Sequence, residues 1–312
     1  MFFESSPIED AVELAMKEKF TAQEILENPT GFFIEKKPGP EELAEATHMH
    51  EAIISNPGLF VGSGNEGFVF DYPSDKQPMC AKHIWEHLSV EMKGKQFGQL
   101  PPRLQELRKI QEHFEKVQEG RKAAQKRGNI EFAASNSPEV EASLQIAAHM
   151  LLEQAGFVGS VPDIKSLIRI ESKGEGESDG APFMYREVAD VFSMEKVPGK
   201  SIQDFILGYE EHLDALEALD PDDFKATLLS MIGVLHDNDF THQDMTNRNV
   251  MVNFSTGKPV IIDFGKACYR GGSFSKEEEV GHIEAVCRTL AAFKRDPENT
   301  RKELKRQLKL VF

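Results

Sequence analysis

The stretch Phe240 to Ala267, FTHQDMTNRNVMVNFSTGKPVIIDFGKA, decides how the rest of the chain is read. Asp244 stands five residues before Asn249, and a β-rich run then leads through a turn to IIDFG, which closes on Asp263, Phe264 and Gly265. Val250 to Asn253 and Val260 to Ile262 are short strand candidates. Paired as a hairpin, they bring Asn249 and Asp263 to one edge. An ordinary hairpin with acidic ends explains the strands, but not why His, Asp, Asn and Asp-Phe-Gly follow one another in this order.

That ordered set resembles the catalytic core of the protein-kinase-like superfamily. The resemblance implies an α+β, bilobal fold with a β-rich N-lobe and a reduced helical C-lobe. It implies that Asp244 accepts the proton of an attacking hydroxyl, while Asn249 and Asp263 hold Mg²⁺ against the phosphates of ATP. His242 falls two residues before Asp244, a place that favours support of the loop over acid–base work.

Working outward, LFVGSGNEGFVF places Gly62, Ser63, Gly64, Gly67 and Val69 in the form G-x-G-x-x-G-x-V. Glycines allow the backbone to approach a triphosphate closely. A dinucleotide-binding reading fails, because the extended run Phe68 to Tyr72 follows where a helix would be needed. Lys82, in the strand candidate PMCAKHI, matches the lysine that contacts the α- and β-phosphates. FSMEKVPGKSI resembles the kinase hinge, with Met194 as gatekeeper, backbone groups of Glu195 to Val197 facing adenine, and Pro198-Gly199 turning the chain onward.

The carboxylate partner of Lys82 stays open between two readings. Ser137-Pro138 starts a helix running to Ala155, in which Glu141 is the natural partner. Alignment of its end, LLEQAG, with atypical kinases puts Gln145 in that place instead. The two lie one turn apart. Ahead of this helix, Pro101 to Arg127 reads as a charged helix with a stripe of Leu104, Leu107, Ile110, Phe114 and Val117.

Ser6 to about Pro57 reads as a helical prefix, with Ile8, Val12, Ala15, Met16 and Phe20 at three- and four-residue steps and further helices at Ala22 to Leu26 and Glu41 to Ile54. The domain expectation is therefore a helical N-terminal extension (1–57), a kinase N-lobe (58–197) with a helical insertion at about 88–136, and a reduced C-lobe (198–312). Within these, Ser172 to Gly180 reads as a polar loop, and Ser201 to Leu216 and Asp222 to Asp237 as helices, the second started by Asp220-Pro221.

Several positions depart from regulated protein kinases. Gln243 stands where they carry the arginine that docks a phosphorylated activation loop, which speaks against that form of control. Thr246 stands where Ser/Thr kinases usually carry lysine. Only a short segment follows Gly265, without Ala-Pro-Glu, and it reads as the helices Ser275 to Phe293 and Pro297 to Leu310. Such brevity resembles Rio and KEOPS-type small kinases.

The remaining composition narrows the field. With 52 acidic against 36 basic residues and a formal charge of −16, a general nucleic-acid binder is disfavoured. Cys80, Cys268 and Cys287 show neither disulfide nor zinc spacing. The acidic N-terminus lacks signal-peptide character, no stretch reaches membrane-spanning length, and the default location is cytoplasmic, with signal-less secretion into a host leaving no trace in sequence. The expectation is an ATP- and Mg²⁺-dependent atypical Ser/Thr protein kinase that meets its protein substrate or partner through the prefix or the insertion. A small-molecule kinase of aminoglycoside or choline type and a nucleotide-binding pseudokinase scaffold are the rival readings.

Overall fold

A computed structural model describes residues 8–16, 20–31, 33–41, 43–44, 60–63, 68–72, 78–92, 112, 115–116, 119, 136–178, 181–272 and 275–311. The chain forms two compact units. The first comprises Met1–Lys19, Gly31–Glu139 and Ile164–Lys196, and the second Phe20–Thr30, Val140–Asp163 and Val197–Phe312. One is β-rich and the other largely helical, the make-up that a kinase-like bilobal architecture requires.

The first unit is built on a sheet of β1 (Ile8–Met16), β2 (Phe33–Lys36), β3 (Phe60–Ser63), β4 (Phe68–Tyr72), β5 (Met79–Met92), β6 (Ile164–Ser178) and β7 (Ala181–Glu195). Its order among the described residues is β2-β1-β6-β7-β5-β4-β3, with every neighbouring pair antiparallel. Residues Ala189 to Met194 of β7 are buried on both faces, which suits a strand with neighbours on either side. Phe70, Ala81, Leu167, Ile168, Ile170, Val191 and Phe192 form the core. Arg169 crosses from β6, donating from Nε to Asp190 Oδ1 at 3.0 Å and from a terminal nitrogen to Glu139 Oε1 at 2.6 Å.

Three expectations are corrected here. Ile8–Met16 is a strand, not part of a helical prefix. The same apolar residues also fit a period of two through Ile8, Val12, Leu14 and Met16. The exception in that series, Asp10, falls where the register against β6 shifts. Ladders to β2 on one side and β6 on the other satisfy the backbone and override helical spacing. Second, most of Ser172 to Gly180 is paired strand, since β6 and β7 remain in register to Ser178↔Ala181. Third, β5 continues to Met92, opposite Phe183, so Leu88 to Met92 are strand and not helical insertion. Within the insertion, Glu112, Glu115, Lys116 and Glu119 are helical and exposed; its apolar stripe lies outside the described residues. Helix α1 (Ala22–Glu27) does form, with Thr21 and Glu24 in a capping box, and belongs to the second unit. Of the expected Glu41 to Ile54 helix, Glu41, Leu43 and Ala44 are helical and the rest lies outside the described residues.

The second unit holds most of α2 (Pro138–Gln154), then β8 (Gly199–Ser201), α3 (Ile202–Leu207), a 3₁₀ turn (Tyr209–Glu211), α4 (Leu213–Ala218), α5 (Pro221–Asp237), β9 (Phe240–Thr241), β10 (Val250–Asn253), β11 (Pro259–Ile261), β12 (Cys268–Tyr269), α6 (Lys276–Arg295) and α7 (Pro297–Val311). The single helix expected over Ser201 to Leu216 is broken, because Gly208 caps α3 and the chain tightens into the 3₁₀ turn. Phe205 meets Phe293 and Phe254 at centroid distances of 5.3 and 5.1 Å, which joins these short pieces to α6. Helix α5 begins as the sequence indicates, with Asp220 accepting from the N–H groups of Asp222 and Asp223 and Pro221 in the first turn.

Candidate active site

In the first unit, the backbone register gathers the phosphate-facing candidates into one row. Gly62 on β3 pairs with Val69 on β4, Val69 with Lys82 on β5, and Lys82 with Phe192 on β7. Lys82 is buried, with 7% of its surface exposed. Ser63 pairs with Phe68; Gly64 and Gly67 lie outside the described residues. At the end of β7, Met194 is buried and Glu195 exposed. The Lys196 N–H donates to Pro78 O at 3.1 Å, and the Gly199 N–H to Val197 O at 2.8 Å, which makes the turn after Pro198.

In the second unit, Glu141 and Gln145 are both buried on α2. Gln145 donates to Pro162 O at 2.8 Å and so ties the middle of its own helix to the following segment. The remaining candidates sit on one loop and one hairpin. Strands β10 and β11 pair Val250 with Ile261, and the Ile262 N–H donates to Asn249 O at 3.0 Å. This extends the ladder by one bond and sets Asn249 beside the start of Asp263-Phe264-Gly265.

Asp244 and Asn249 are directly bonded. Asn249 Nδ2 donates to the Asp244 carbonyl at 2.9 Å and to its Oδ2 at 3.1 Å. The amide nitrogen being thus committed, Asn249 Oδ1 is the oxygen left to face a cation. Lys266 Nζ also reaches Asp244 Oδ2, at 3.3 Å.

His242 is fully buried and packs edge-on against Phe264 at 4.9 Å. Its Nε2 contacts the Ile262 carbonyl at 3.0 Å, and the Asp244 N–H points to Nδ1 at 3.4 Å. A carbonyl only accepts and an amide only donates, so this pair of contacts selects the tautomer with the proton on Nε2.

Two backbone conformations here are costly. Gln243 and Asp263 lie at φ +64° and +65°, in the left-handed region that non-glycine residues avoid, at about 1 kcal/mol or more each. Gln243 is held there by Glu279 of α6. One carboxylate oxygen, Oε1, accepts the N–H groups of His242 at 2.8 Å and Gln243 at 2.7 Å, and Oε2 accepts from His236 Nε2 at 2.6 Å. Burial pushes the Glu279 carboxyl up, but the hydrogen bond from His236 and the other donors outweigh it and hold the group below its ordinary value. The Gln243 side chain in turn donates to Thr241 Oγ1 at 2.7 Å.

Sequence reasoning missed Lys266, Glu279 and His236. Glu279 did leave a signal, since it precedes Ile283, Val286 and Leu290 on the apolar stripe of α6, where a carboxylate must have partners. Lys266 left none, because its contact spans 22 residues of chain.

The fit to Mg²⁺ rests on the donor set. Asp263 carboxylate and Asn249 amide oxygens are hard ligands, and Mg²⁺ is usually bound by one or two carboxylates together with waters and substrate phosphates. Among the described residues, no cluster of three or more His, Cys, Asp or Glu forms an all-protein metal site, and such a cluster is not what a nucleotide-borne Mg²⁺ needs. No helix among them is long and apolar enough to cross a membrane.

No protein-family profile matches the chain. The chain is 40% identical over 88 residues to the EKC/KEOPS complex subunit BUD32 of Yarrowia lipolytica (strain CLIB 122 / E 150), a match covering 24% of this chain and 35% of that protein. The chain thus matches about a third of the length of this curated relative. The match is a distant homology confined to part of each chain.

Proposed function

We propose that the protein is an ATP- and Mg²⁺-dependent phosphotransferase, an atypical kinase acting on Ser or Thr hydroxyls of protein. The observation that carries this reading is the Asp244–Asn249 pair, with the β10–β11 ladder setting Asn249 beside the segment that opens on Asp263. Asp244 orients the acceptor hydroxyl and takes its proton. Asn249 and Asp263 supply oxygens to Mg²⁺, which when bound neutralises charge on the β- and γ-phosphate oxygens. Lys82 holds the phosphates, and the loop from Gly62 and Ser63 through Gly64 and Gly67 to Val69 covers them. Backbone groups of Glu195 and Val197 face the adenine.

Catalysis in this scheme comes from positioning and electrostatics, for which the strained, multiply bonded loop is suited. The relative's description as a complex subunit supports protein partners for this chain as well.

The test is phosphate transfer from labelled ATP with Mg²⁺ to a panel of proteins and small hydroxyl compounds. Asp263→Asn and Asp244→Ala should each lower transfer by on the order of 10³ with the circular dichroism spectrum retained. Full activity in a clean Asp263→Asn preparation would overturn the mechanism, and transfer confined to small molecules would replace the protein acceptor.

A further inference from the structure

We infer that Lys266 is a positioning residue for Asp244; the inference rests on the phosphotransferase reading above. Thr246, two residues beyond Asp244, brings no charge. Its Oγ1 instead accepts the Arg248 N–H within the turn, at 3.4 Å. Lys266 arrives from elsewhere in the sequence, directly after Asp263-Phe264-Gly265, and its half-buried ammonium meets Asp244 Oδ2 at 3.3 Å.

Other cations of the second unit are engaged away from Asp244. Lys258 pairs with Asp223, Lys276 with Asp239, and Lys294 bonds the carbonyls of Leu216 and Glu217.

The geometry divides the two oxygens of Asp244. Oδ2 receives both Asn249 Nδ2 and Lys266 Nζ, while among the described residues Oδ1 receives no donor. Two donors on one oxygen fix the carboxylate plane and turn Oδ1 outward for the acceptor hydroxyl. During transfer the hydroxyl O–H bond breaks and its proton passes to Asp244, as the hydroxyl oxygen bonds to the γ-phosphorus. The bond from that phosphorus to the β–γ bridging oxygen breaks, and its electron pair leaves with ADP. Neutralising the carboxylate releases the Lys266 charge just as negative charge spreads over the transferring oxygens. The ion pair itself is strongest with the ionised carboxylate, so Lys266 acts by holding Asp244 in orientation before the proton moves.

The second consequence concerns which change is tolerated. Arginine can reach a carboxylate oxygen and keeps the charge, whereas methionine keeps most of the stem and loses the charge.

Full-length wild type, Lys266→Met, Lys266→Arg and Asp263→Asn would be compared by initial rates of ADP release from ATP and Mg²⁺, with dephosphorylated casein as acceptor. Lys266→Met should lose on the order of 10² in kcat while the KM for ATP stays within about twofold, and Lys266→Arg should recover a tenth or more of wild-type kcat. Wild-type kinetics in Lys266→Met beside an inactive Asp263→Asn would overturn the role of Lys266 and leave the phosphotransferase reading standing. A raised KM at unchanged kcat, or an arginine variant no better than methionine, would also overturn it. A wild-type protein that releases no ADP would instead overturn the phosphotransferase reading and this inference together.

Discussion

Replacing Glu279 by alanine should destabilise the second unit and unfasten the catalytic loop at once. The residue is 2% exposed, and its loss strands the N–H groups of His242 and Gln243 and the His236 ring nitrogen away from water. Each buried donor left unpaired costs about 1–3 kcal/mol, and three are stranded here. These costs overlap, so the expected loss is about 3–5 kcal/mol and not their sum. Glu279→Gln keeps one acceptor and should lose about 2 kcal/mol. Because the folded carboxyl is held below its ordinary value of 4.5, its contribution is fully present above that pH. It drains as pH falls through the lower folded value. The gap between wild type and Glu279→Gln should therefore be widest near neutrality and close in acid. Denaturant unfolding followed by far-UV circular dichroism is the suitable assay, since the second unit is largely helical. An alanine variant that loses less than about 1 kcal/mol and keeps wild-type turnover would refute the reasoning.

Gly199→Ala should unsettle the turn into β8, because a Cβ there would sit 2.0 Å from the Val252 carbonyl oxygen across the β8–β10 pair; a loss of about 2–3 kcal/mol is expected, and an unchanged melting temperature would count against the described register. Burial pushes the Cys80 thiol up to about 12 and that of Cys287 to about 11. At pH 8 both should therefore alkylate on the order of 10² times more slowly in the native protein than in urea, and equal rates measured by mass spectrometry would contradict their burial.

What the sequence disclosed, and what it withheld, follow from the range of the interactions concerned. Strand β10, the start of α5 at Asp220-Pro221, and helices α6 and α7 were legible because each rests on local spacing and capping. Strand β1 was not, since its conformation is imposed by β6 from more than 150 residues away. The length of β6 and β7 was hidden by their Gly, Ser and Glu content. Asp179-Gly180, a dipeptide typical of two-residue hairpin loops, was the signal that favoured long strands. At the candidate site, Asp244, Asn249 and Asp263 could be put forward together from their order alone. Lys266 and Glu279 could not, because their partners are reached only through the fold.

The placement of β1 also has a consequence in time. Its register runs from Ile8↔Ser172 to Glu13↔Ile168, so during synthesis it leaves the ribosome roughly 160 residues before its partner does, a wait of about 8 to 30 seconds at ordinary elongation rates. Strand β2 follows closely and covers one edge, from Glu13↔Lys36 to Met16↔Phe33, with Lys36 reaching Glu13 at 3.1 Å. Over the wait, the other edge has no strand of its own to meet. The segment IEDAVELAM answers this with Glu9, Asp10 and Glu13, whose like charges oppose pairing with a second nascent chain. Its apolar residues, spaced for a helix as well as a strand, can fold back locally in the meantime.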